Sequence, residues 1–297
     1  MVFNVGVRGG LSVDHLVVVG RGARFDELGG PGLYGALGGR LVEGVAIRLS
    51  AALPSDEPRF GELFKRLDID DAYCDVETNV TRVWILNSAE GRRIVSTSPS
   101  GEVELEVSTS VEADEAEQPA RAEFFAGLTA LLDSSPLSRP QSNEQTVVGI
   151  DPHQVPLRRA GTEYLRLVVP QAGVLLPSRV QLALIHPDVR VAARQISAEL
   201  DVPVIARLDV EGAHVFDGSK EWTVQDDHVT VSETTGAGDS SAAAIMAALA
   251  IGADIVTAAM FGVSIARIAL ADWGSAALLE AEPLTKPFNG IRTNRER

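Results

Sequence analysis

The residues best suited to chemistry in this 297-residue chain lie between Glu233 and Ser241. A run of small residues, Thr234-Thr235-Gly236-Ala237-Gly238, precedes Asp239, and an alanine-rich segment follows. A small-residue turn that enters a helix leaves several backbone N–H groups free to bind one anion. Asp239 falls in the first helical turn, so a carboxylate that can accept a proton would lie beside that anion site. An ordinary glycine turn with the aspartate as a helix cap fits these residues equally well.

The charge balance limits the partners. The chain has 26 Lys and Arg against 41 Asp and Glu, a formal net charge of −15. Because nucleic acids and anionic membranes are bound through clustered basic residues, this balance argues against both. An anionic small molecule would need a local device, such as a helix N-terminus, a metal ion or a few placed arginines. The chain has one cysteine, Cys74, which can form no disulfide within the chain. Residues 1–10 lack the features of a secretory leader, so we expect a cytoplasmic protein.

Short apolar runs alternate with helix-like segments, which predicts an α/β fold with a mostly parallel sheet covered by helices. The predicted strands are 3–7, 13–19, 83–86, 94–97, 123–126, 146–150, 172–176, 202–206 and 213–216. The predicted helices are 31–41, 60–67, 155–167, 188–200, 238–251 and 254–270. Residues 11–28 and 81–97 have strands with no helix between them, so we expect antiparallel strands that project from the main sheet. The acid-rich run 101–118 is typical of a solvated linker or exposed face.

The segment Thr234 to Asp239 resembles the C-terminal signature of the ribokinase-like (PfkB) carbohydrate kinases, D-T-x-G-A-G-D. Other segments resemble further motifs of that family: Gly10–Asp14 its substrate-binding entry, Gly29–Tyr34 its G-G-x-x-x-N helix start, Asp151–His153 its D-P-N motif, and the Gly212 turn its nucleotide loop. The resemblance spans nearly the whole chain. It implies one kinase domain over residues 1–297, folded as a three-layer α/β/α sandwich with a mostly parallel central sheet. It also implies a small β-strand lid, approximately residues 11–28 and 81–97.

The function implied by this resemblance is ATP-dependent phosphorylation of a primary hydroxyl of a sugar, sugar acid or nucleoside, with Mg²⁺ required. By position, Asp239 would be the general base, and Gly236, Ala237 and Gly238 would form the anion hole. The residues implied to bind the acceptor are Asp14, Gly29, Gly30, Tyr34, Arg82, Asp151 and His153. Those implied to bind the nucleotide are Arg207, Gly212 and Thr235.

The lid residues allow several interpretations. Arg82, Arg92 and Arg93 would place a cation over the substrate, or they are solvated edge-strand charges that discourage association of sheets. Trp84 fits stacking on a sugar or base, an apolar lid face and a dimer contact, so a homodimer formed through the lid is left open.

Two motifs depart from the family's pattern where phosphate would bind. Ser178 and Gln181 stand where its N-x-x-E motif, which helps to organise magnesium and phosphate, has Asn and Glu. A neutral amide attracts hydrated magnesium less than a carboxylate does, so Gln181 would be a weak metal-site residue and Gln181→Glu should lower the magnesium requirement. In the nucleotide loop, Arg207 and Asp209 replace Thr or Lys and Gly. Asp209 would repel a triphosphate unless it is turned away, and Arg207 would compensate by pairing with phosphate.

Smaller departures are Tyr34 for the helix Asn, Glu233 for the first Asp of the signature, and His153 for the Asn of D-P-N. Together the departures fit two interpretations: a specialised kinase with an altered pocket, or a degenerate relative that binds a sugar or nucleotide without catalysis. Because the whole G-A-G-D constellation is retained, the sequence favours the kinase.

Overall fold

The computed structural model describes residues 2–77, 79–88, 91–97, 103–105, 120–134, 136–143, 145–170 and 173–296. The strands are β1 (Phe3–Arg8), β2 (Ser12–Val18), β3 (Gly22–Gly29), β4 (Val45–Ser50), β5 (Ala52–Pro54), β6 (Asp75–Glu77), β7 (Thr81–Ser88), β8 (Gly91–Thr97), β9 (Val103–Leu105), β10 (Ala130–Asp133), β11 (Val147–Ile150), β12 (Gly173–Leu175), β13 (Val204–Arg207), β14 (Ala213–Asp217), β15 (Lys220–Asp226) and β16 (Ile291–Arg295). The α-helices are α1 (Pro31–Gly39), α2 (Arg59–Arg66), α3 (Gln154–Ala160), α4 (Thr162–Val168), α5 (Arg179–Ala183), α6 (Val189–Leu200), α7 (Ala237–Ala250), α8 (Ile255–Leu270) and α9 (Ala276–Glu280). Apart from β9, the acid-rich run 101–118 lies outside the described residues.

The main sheet has nine strands in the order β16-β15-β14-β13-β12-β11-β10-β1-β4. Strands β4, β1, β10, β11, β12 and β13 run parallel, whereas β14, β15 and β16 are antiparallel to their neighbours. Parallel strands with helices on both faces are buried on both sides, which explains strands that are buried throughout, such as Val204–Arg207. The carboxyl ends of the parallel strands meet at one edge of the sheet, where ligands of open α/β folds bind.

Helices cover both faces of the main sheet. Successive strand residues face opposite sides, and Leu132 packs in a core with residues of α1, α7 and α8, while Leu131 packs with residues of α3, α4 and α6. The predicted three-layer α/β/α sandwich is therefore confirmed. Helix α1 lies very close to α7, because a Cβ on Gly38 would stand 2.2 Å from the Ser240 carbonyl oxygen. This approach holds the first turns of α7 against α1.

A second, five-stranded sheet has the order β3-β2-β7-β8-β9 and joins the two segments that were expected to project from the main sheet. Strand β2 is antiparallel to β3, and β7 is antiparallel to β8, as predicted. However, β2 and β7 run parallel, from Ser12 paired with Thr81 to Val18 paired with Asn87. The expectation of antiparallel strands alone is wrong here, because the chain crosses the main sheet between β3 and β7 and returns in the direction of β2.

Three other sequence predictions need correction. Residues 123–126 form a 3₁₀ helix, Ala122–Phe125, and the expected strand follows at β10. The predicted helix 155–167 is two helices, because Gly161 adopts a φ of 54° between α3 and α4. Strands β4, β15 and β16 were not predicted, since Arg, Lys, Glu and Asn interrupt their apolar pattern.

Among the described residues, no helix has the length and apolar character that crossing a lipid bilayer requires.

Candidate active site

Several polar residues gather at the carboxyl edge of the main sheet. Asp151 directly follows β11, Arg207 ends β13, and the turn Gly9-Gly10 follows β1. The first turn of α7, with Asp239, is joined to this edge because Arg207 Nη1 donates to the Gly238 carbonyl at 2.5 Å. The structure thus brings together most of the predicted site residues, from both ends of the chain.

The loop before α7 is held by Glu233, which is 2% exposed. Its Oε1 accepts hydrogen bonds from the Thr235 N–H at 2.9 Å and from the Thr235 hydroxyl at 2.7 Å. Asn87 of β7 donates to the same oxygen at 2.9 Å, so the small sheet is joined to this loop. Thr235 is buried with its hydroxyl turned to Glu233, and its predicted nucleotide role stays a prediction.

The turn into α7 requires glycine at position 236. Gly236 has a φ of 76°, and a Cβ there would lie 2.1 Å from Cδ1 of Tyr34. The Ala237 N–H reaches the Thr234 carbonyl only at 3.4 Å, while the next amides of the first turn have no earlier helical carbonyl to bind. The predicted anion hole, the amides of Gly236, Ala237 and Gly238, lies at this end of the 14-residue helix, where the helix dipole is positive.

Asp239 is buried and has both negatively and positively charged neighbours. Burial raises the pKa of its carboxyl group, and the neighbouring Asp151 raises it further, while Arg207 and Arg92 lower it. A carboxylate whose pKa is raised is a stronger base than an exposed aspartate and suits proton removal from a hydroxyl.

The predicted acceptor end is built around Asp14 on β2, which is 2% exposed. Ser12 Oγ donates to its Oδ1 at 2.6 Å. Burial raises the pKa of Asp14 from 3.8 to about 6, against opposing contributions from Ser12 and Arg92. Gly29 must lack a side chain, since a Cβ there would lie 2.0 Å from Oδ2 of Asp14. Gly30, with a φ of 95°, also packs closely on the backbone of residues 10–12, where a Cβ would lie 2.5 Å from the Gly10 carbonyl oxygen.

Tyr34 fills the space between Asp14 and the loop before α7. Its side chain is 1% exposed, and its hydroxyl has no hydrogen-bond partner among the described residues. Burial raises the pKa of Tyr34, and the nearby carboxylates Asp14, Glu233 and Asp239 raise it further. A buried phenol without a partner is costly, and this hydroxyl lies toward Gly274, where a Cβ would stand 3.6 Å from it.

The lid arginines occupy different places. Arg82 Nη1 donates to Asp26 at 3.0 Å. Because side chains alternate along a strand, Arg82 lies on the face of β7 opposite Asn87, which contacts the site. Arg92 pairs with Asn87 in the sheet register, and its charge acts on both Asp14 and Asp239. The geometry therefore favours Arg92 over the predicted Arg82 as the cation nearest the acceptor end.

His153 has a structural contact that was not predicted. Its Nδ1 accepts a hydrogen bond from the Val155 N–H at 3.2 Å and so caps the start of α3. The hydroxyl of Tyr164 accepts from the His153 N–H at 3.0 Å. Its predicted contact with the acceptor stays a prediction.

Asp151 is held by two residues that depart from the motifs quoted above. Its Oδ2 lies 2.8 Å from Arg207 Nη2, and its Oδ1 accepts from Gln181 Nε2, also at 2.8 Å. Gln181 Oε1 in turn accepts from the Ser178 N–H at 2.5 Å, and Nε2 also donates to the Pro152 carbonyl at 2.6 Å. Ser178 and Gln181 thus form a capping box at the start of α5.

The site does not fit a magnesium ion held by the protein. Both oxygens of Asp151 bind Arg207 and Gln181, and the Gln181 amide is committed to Ser178, Pro152 and Asp151. Across the part of the chain that the structure describes, no three or more His, Cys, Asp or Glu side chains cluster as a metal site. The predicted metal role of Gln181 is untested, and these hydrogen bonds weigh against it.

The predicted nucleotide loop carries its acids in ion pairs. Asp209 accepts from Arg179 Nε at 2.9 Å, while Glu211 pairs with both Arg179 and Arg190. The charge of Asp209 is therefore balanced by Arg179, which weakens the repulsion of a triphosphate expected from this acid. Gly212 has a φ of 78°, and a Cβ there would lie 2.1 Å from the Val224 carbonyl oxygen.

Comparison with protein families supplies the deciding observation. The model of the pfkB family carbohydrate kinases matches residues 44–282, most of the chain. The chain belongs to this kinase family. Its family membership and structural neighbours support kinase activity on a sugar or nucleoside in general.

Solved structures with the same fold include sugar and nucleoside kinases. A ribokinase from Cryptococcus neoformans var. grubii, in complex with ADP, has 18% identity and a TM-score of 0.67, with 94% of this chain and 97% of that chain covered. A Burkholderia thailandensis nucleoside kinase in complex with inosine has 14% identity and a TM-score of 0.66, covering 95% and 94%. An Arabidopsis thaliana ribokinase complexed with ribose and ATP has 15% identity and a TM-score of 0.62, covering 95% and 100%. No curated protein matches the sequence.

Three contacts of this pfkB-family site were missed from the sequence. Asn87 binds Glu233, and Arg21, in the turn after β2, donates to the carbonyls of Val231 and Ser232 at 2.9 and 3.1 Å. Ser12 binds Asp14. Only the Ser12-x-Asp14 spacing carried a local signal, because residues two apart on a strand share a face. The other contacts join segments about 150 to 210 residues apart, which no short pattern reveals.

Proposed function

We propose that this protein transfers the γ-phosphoryl group of ATP to a primary hydroxyl of a sugar, sugar acid or nucleoside. The observation that supports this most strongly is Asp239, a carboxyl group of raised pKa in the first turn of α7. A proton acceptor and a set of free amides occur there together, and phosphoryl transfer to an alcohol needs both.

In the proposed reaction, Asp239 accepts the proton of the acceptor hydroxyl while the oxygen of that hydroxyl forms a bond to the γ-phosphorus. The bond between that phosphorus and the oxygen bridging it to the β-phosphate breaks, and ADP leaves with the electron pair. The amides of Gly236, Ala237 and Gly238 stabilise the charge on the transferring group, because they are fixed before the reaction begins. The residues in the loop ending at Gly212 would bind the nucleotide.

The acceptor would bind between β2 and the start of α7. Asp14 accepts hydrogen bonds from acceptor hydroxyls, the buried hydroxyl of Tyr34 supplies another polar partner, and the backbone of Gly29 and Gly30 lies beside the sugar. The small sheet acts as a lid, since Asn87 joins it to Glu233. Arg92 on this lid offers a cation to an acceptor that bears a carboxylate.

The identity of the nucleotide bears on the location of the protein and on its use of magnesium. ATP is the proposed phosphoryl donor, as the ADP and ATP in two structural neighbours suggest. The proposed location is the cytoplasm, where ATP is supplied. Any magnesium would enter with the nucleotide phosphates, since the carboxylate and amide groups around Asp151 are already hydrogen-bonded.

The outer face of the lid supports a homodimer. His15 and Trp84 lie with ring centroids 4.7 Å apart, and Phe25, which is 56% exposed, lies 5.8 Å from Trp84. Exposed aromatic clusters of this kind are frequent at protein interfaces, and the second copy would bury this cluster.

The mutation Asp239→Asn tests the proposal. We expect the folded variant to bind nucleotide and acceptor but to lose about 100-fold or more in kcat, the scale of losing a general base. ADP formation at saturating substrates measures this, and Asp217→Asn, on β14, serves as a control for loss of a carboxylate. Unchanged turnover in the folded Asp239→Asn protein would remove Asp239 from the mechanism.

A further inference from the structure

Two of the departing residues at the phosphate end meet in one network. Arg207 on β13 and Gln181 on α5 stand far apart in sequence, yet both bind Asp151 at 2.8 Å. All three side chains are at least nine-tenths buried, at 9%, 7% and 5% exposed. A buried ion pair is stable only when its remaining donors and acceptors are satisfied. The Gln181 amide satisfies the second oxygen of Asp151 by donating a hydrogen bond to it, whereas a glutamate at position 181 would place a second negative charge there.

Arg207 extends the network into the start of α7. Its Nη1 donates to the Gly238 carbonyl and its Nη2 to the Leu176 carbonyl, both at 2.5 Å. The guanidinium therefore joins the ends of β11, β12 and β13 to the peptide group that precedes Asp239. The planar fork of arginine suits this task, since it presents several donors in a fixed geometry that lysine lacks.

The same guanidinium contributes a fixed positive charge. Its Nε is buried and has no hydrogen-bond partner among the described residues. The charged and titratable groups that act on Asp239 are Asp151 on the β11 side, Arg207 on β13, Arg92 on β8, Asp14 on β2 and Tyr34 on α1. Of the cations, Arg207 is the buried one, with its position set by Asp151 and Gln181.

We propose that Arg207, held by Asp151 and Gln181, is the positioning residue of the phosphate end: it fixes the first turn of α7 and supplies a resident positive charge there in place of a metal ion held by protein carboxylates. The inference rests on the proposed function. It accounts for both sequence departures together, because Arg207 needs Asp151 as its counter-ion and Asp151 needs an amide donor at position 181.

Three variants separate the position of Arg207 from its charge. Arg207→Gln removes the charge, Arg207→Lys keeps the charge but loses the fork, and Arg194→Gln is the matched control. Arg194 on α6 pairs with Glu221 on β15 at 2.6 Å, and no hydrogen bond or ion pair among the described residues joins it to the site. Should Arg207→Gln fail to fold, the double variant Asp151→Asn with Arg207→Gln removes both buried charges together.

The first measurement is ATP affinity in the presence of a chelator, by titration calorimetry without acceptor. We expect Arg207→Gln to raise the Kd of metal-free ATP about tenfold, since a buried guanidinium near the free amides is lost. Arg207→Lys should raise it less, and Arg194→Gln should leave it unchanged. The double variant also loses the negative charge of Asp151, so it is compared with Asp151→Asn alone, whose Kd it should exceed about tenfold. Equal metal-free affinity in wild type and Arg207→Gln would overturn the proposal that Arg207 supplies the charge.

The second measurement is the pH profile of kcat/KM. Removing a neighbouring positive charge makes the Asp239 carboxylate less favourable, so the acidic limb should move up by about one pH unit in Arg207→Gln. In Arg207→Lys the limb should stay in place while kcat falls about tenfold, because only the positioning is lost. A limb that moves equally in both variants, or a kcat unchanged in Arg207→Lys, would contradict the assignment. Since ATP itself titrates, the shift is taken relative to Arg194→Gln.

The measurements distinguish a failure of this inference from a failure of the proposed function. If the wild type binds ATP but phosphorylates no acceptor, the proposed function fails while the metal-free titration still decides the role of Arg207. If the wild type is an active kinase and Arg207→Gln matches Arg194→Gln in both measurements, only the inference fails.

Discussion

Two buried aspartates at opposite ends of the site differ in how many of their carboxylate oxygens have hydrogen-bond or ion-pair partners. Asp14 has one side-chain donor, Ser12, and its pKa is raised to about 6. Asp151, equally buried, has Arg207 on one oxygen and Gln181 on the other. A buried carboxylate with unsatisfied acceptors is stable only with a ligand or a proton, whereas a satisfied one maintains structure. The difference therefore separates an acceptor end that awaits a ligand from a phosphate end that is already organised.

The largest expected effect is on acceptor binding. Asp14→Ala should raise KM for the acceptor about 100-fold, because hydrogen bonds from hydroxyls to a buried carboxylate are lost, and should leave the Kd of ATP unchanged. Steady-state kinetics with each substrate varied in turn measure both. An equal loss of ATP affinity would show that Asp14 does not belong to the acceptor end.

The second prediction concerns the pH dependence of stability. The folded pKa of Asp14 is raised to about 6 from 3.8, so its proton is bound more tightly in the folded state. This contribution is fully present below the unfolded pKa and is lost as pH rises through about 6, costing about 3 kcal/mol by pH 8. Asp14→Asn should therefore be more stable than wild type at about pH 8 and similar at about pH 4.

Urea unfolding at several pH values measures this difference. Asp254 provides the opposite case, because hydrogen bonds from Thr257 and from the backbone at the start of α8 lower its pKa. Its contribution is present above the unfolded pKa and lost in acid, so Asp254→Ala should lose more stability at neutral pH than at low pH. If the difference in unfolding free energy between Asp14→Asn and wild type did not change between about pH 4 and pH 8, Asp14 would be solvated in the free protein.

The smallest expected effect is at position 181, where sequence and structure point in different directions. Gln181→Glu would bring a carboxylate oxygen toward Asp151, from which the amide nitrogen stands 2.8 Å. We expect a loss of about 1 to 2 kcal/mol in unfolding free energy and no fall in the magnesium midpoint. Gln145→Glu, at an exposed position, is the control. A lower magnesium midpoint in a stable variant would restore the metal role that the sequence predicts.

What the sequence predicted correctly depends on short-range patterns. The alternation of apolar runs predicted the α/β class, and the break between α7 and α8 follows from Gly252, with a φ of 91°, and Asp254, which caps α8 through the Val256 and Thr257 N–H groups. Such signals lie within a few adjacent residues. The retained G-A-G-D segment likewise predicted the turn at the start of α7.

The contacts between distant segments were beyond sequence reasoning. Arg207 was expected to compensate by pairing with phosphate, yet its protein partners, Asp151 and the Gly238 carbonyl, lie 56 and 31 residues away in the sequence. The parallel pairing of β2 with β7 depends on the path of the chain between them, which no local pattern records. Burial, which raises the pKa of Asp14 and isolates the Tyr34 hydroxyl, likewise depends on packing of the whole fold.

The most direct test of the central claim is acceptor-dependent phosphoryl transfer by the wild-type protein. Sugars, sugar acids and nucleosides that raise its melting temperature are incubated with ATP, and ADP formation is followed together with phosphorus NMR of the acceptor. The account predicts ADP and phosphorylated acceptor in equal amounts, with the phosphate on a primary hydroxyl, and little product from Asp239→Asn. Saturable binding of acceptor and nucleotide without any phosphorylated product across the whole panel would contradict it and identify the protein as a non-catalytic binder.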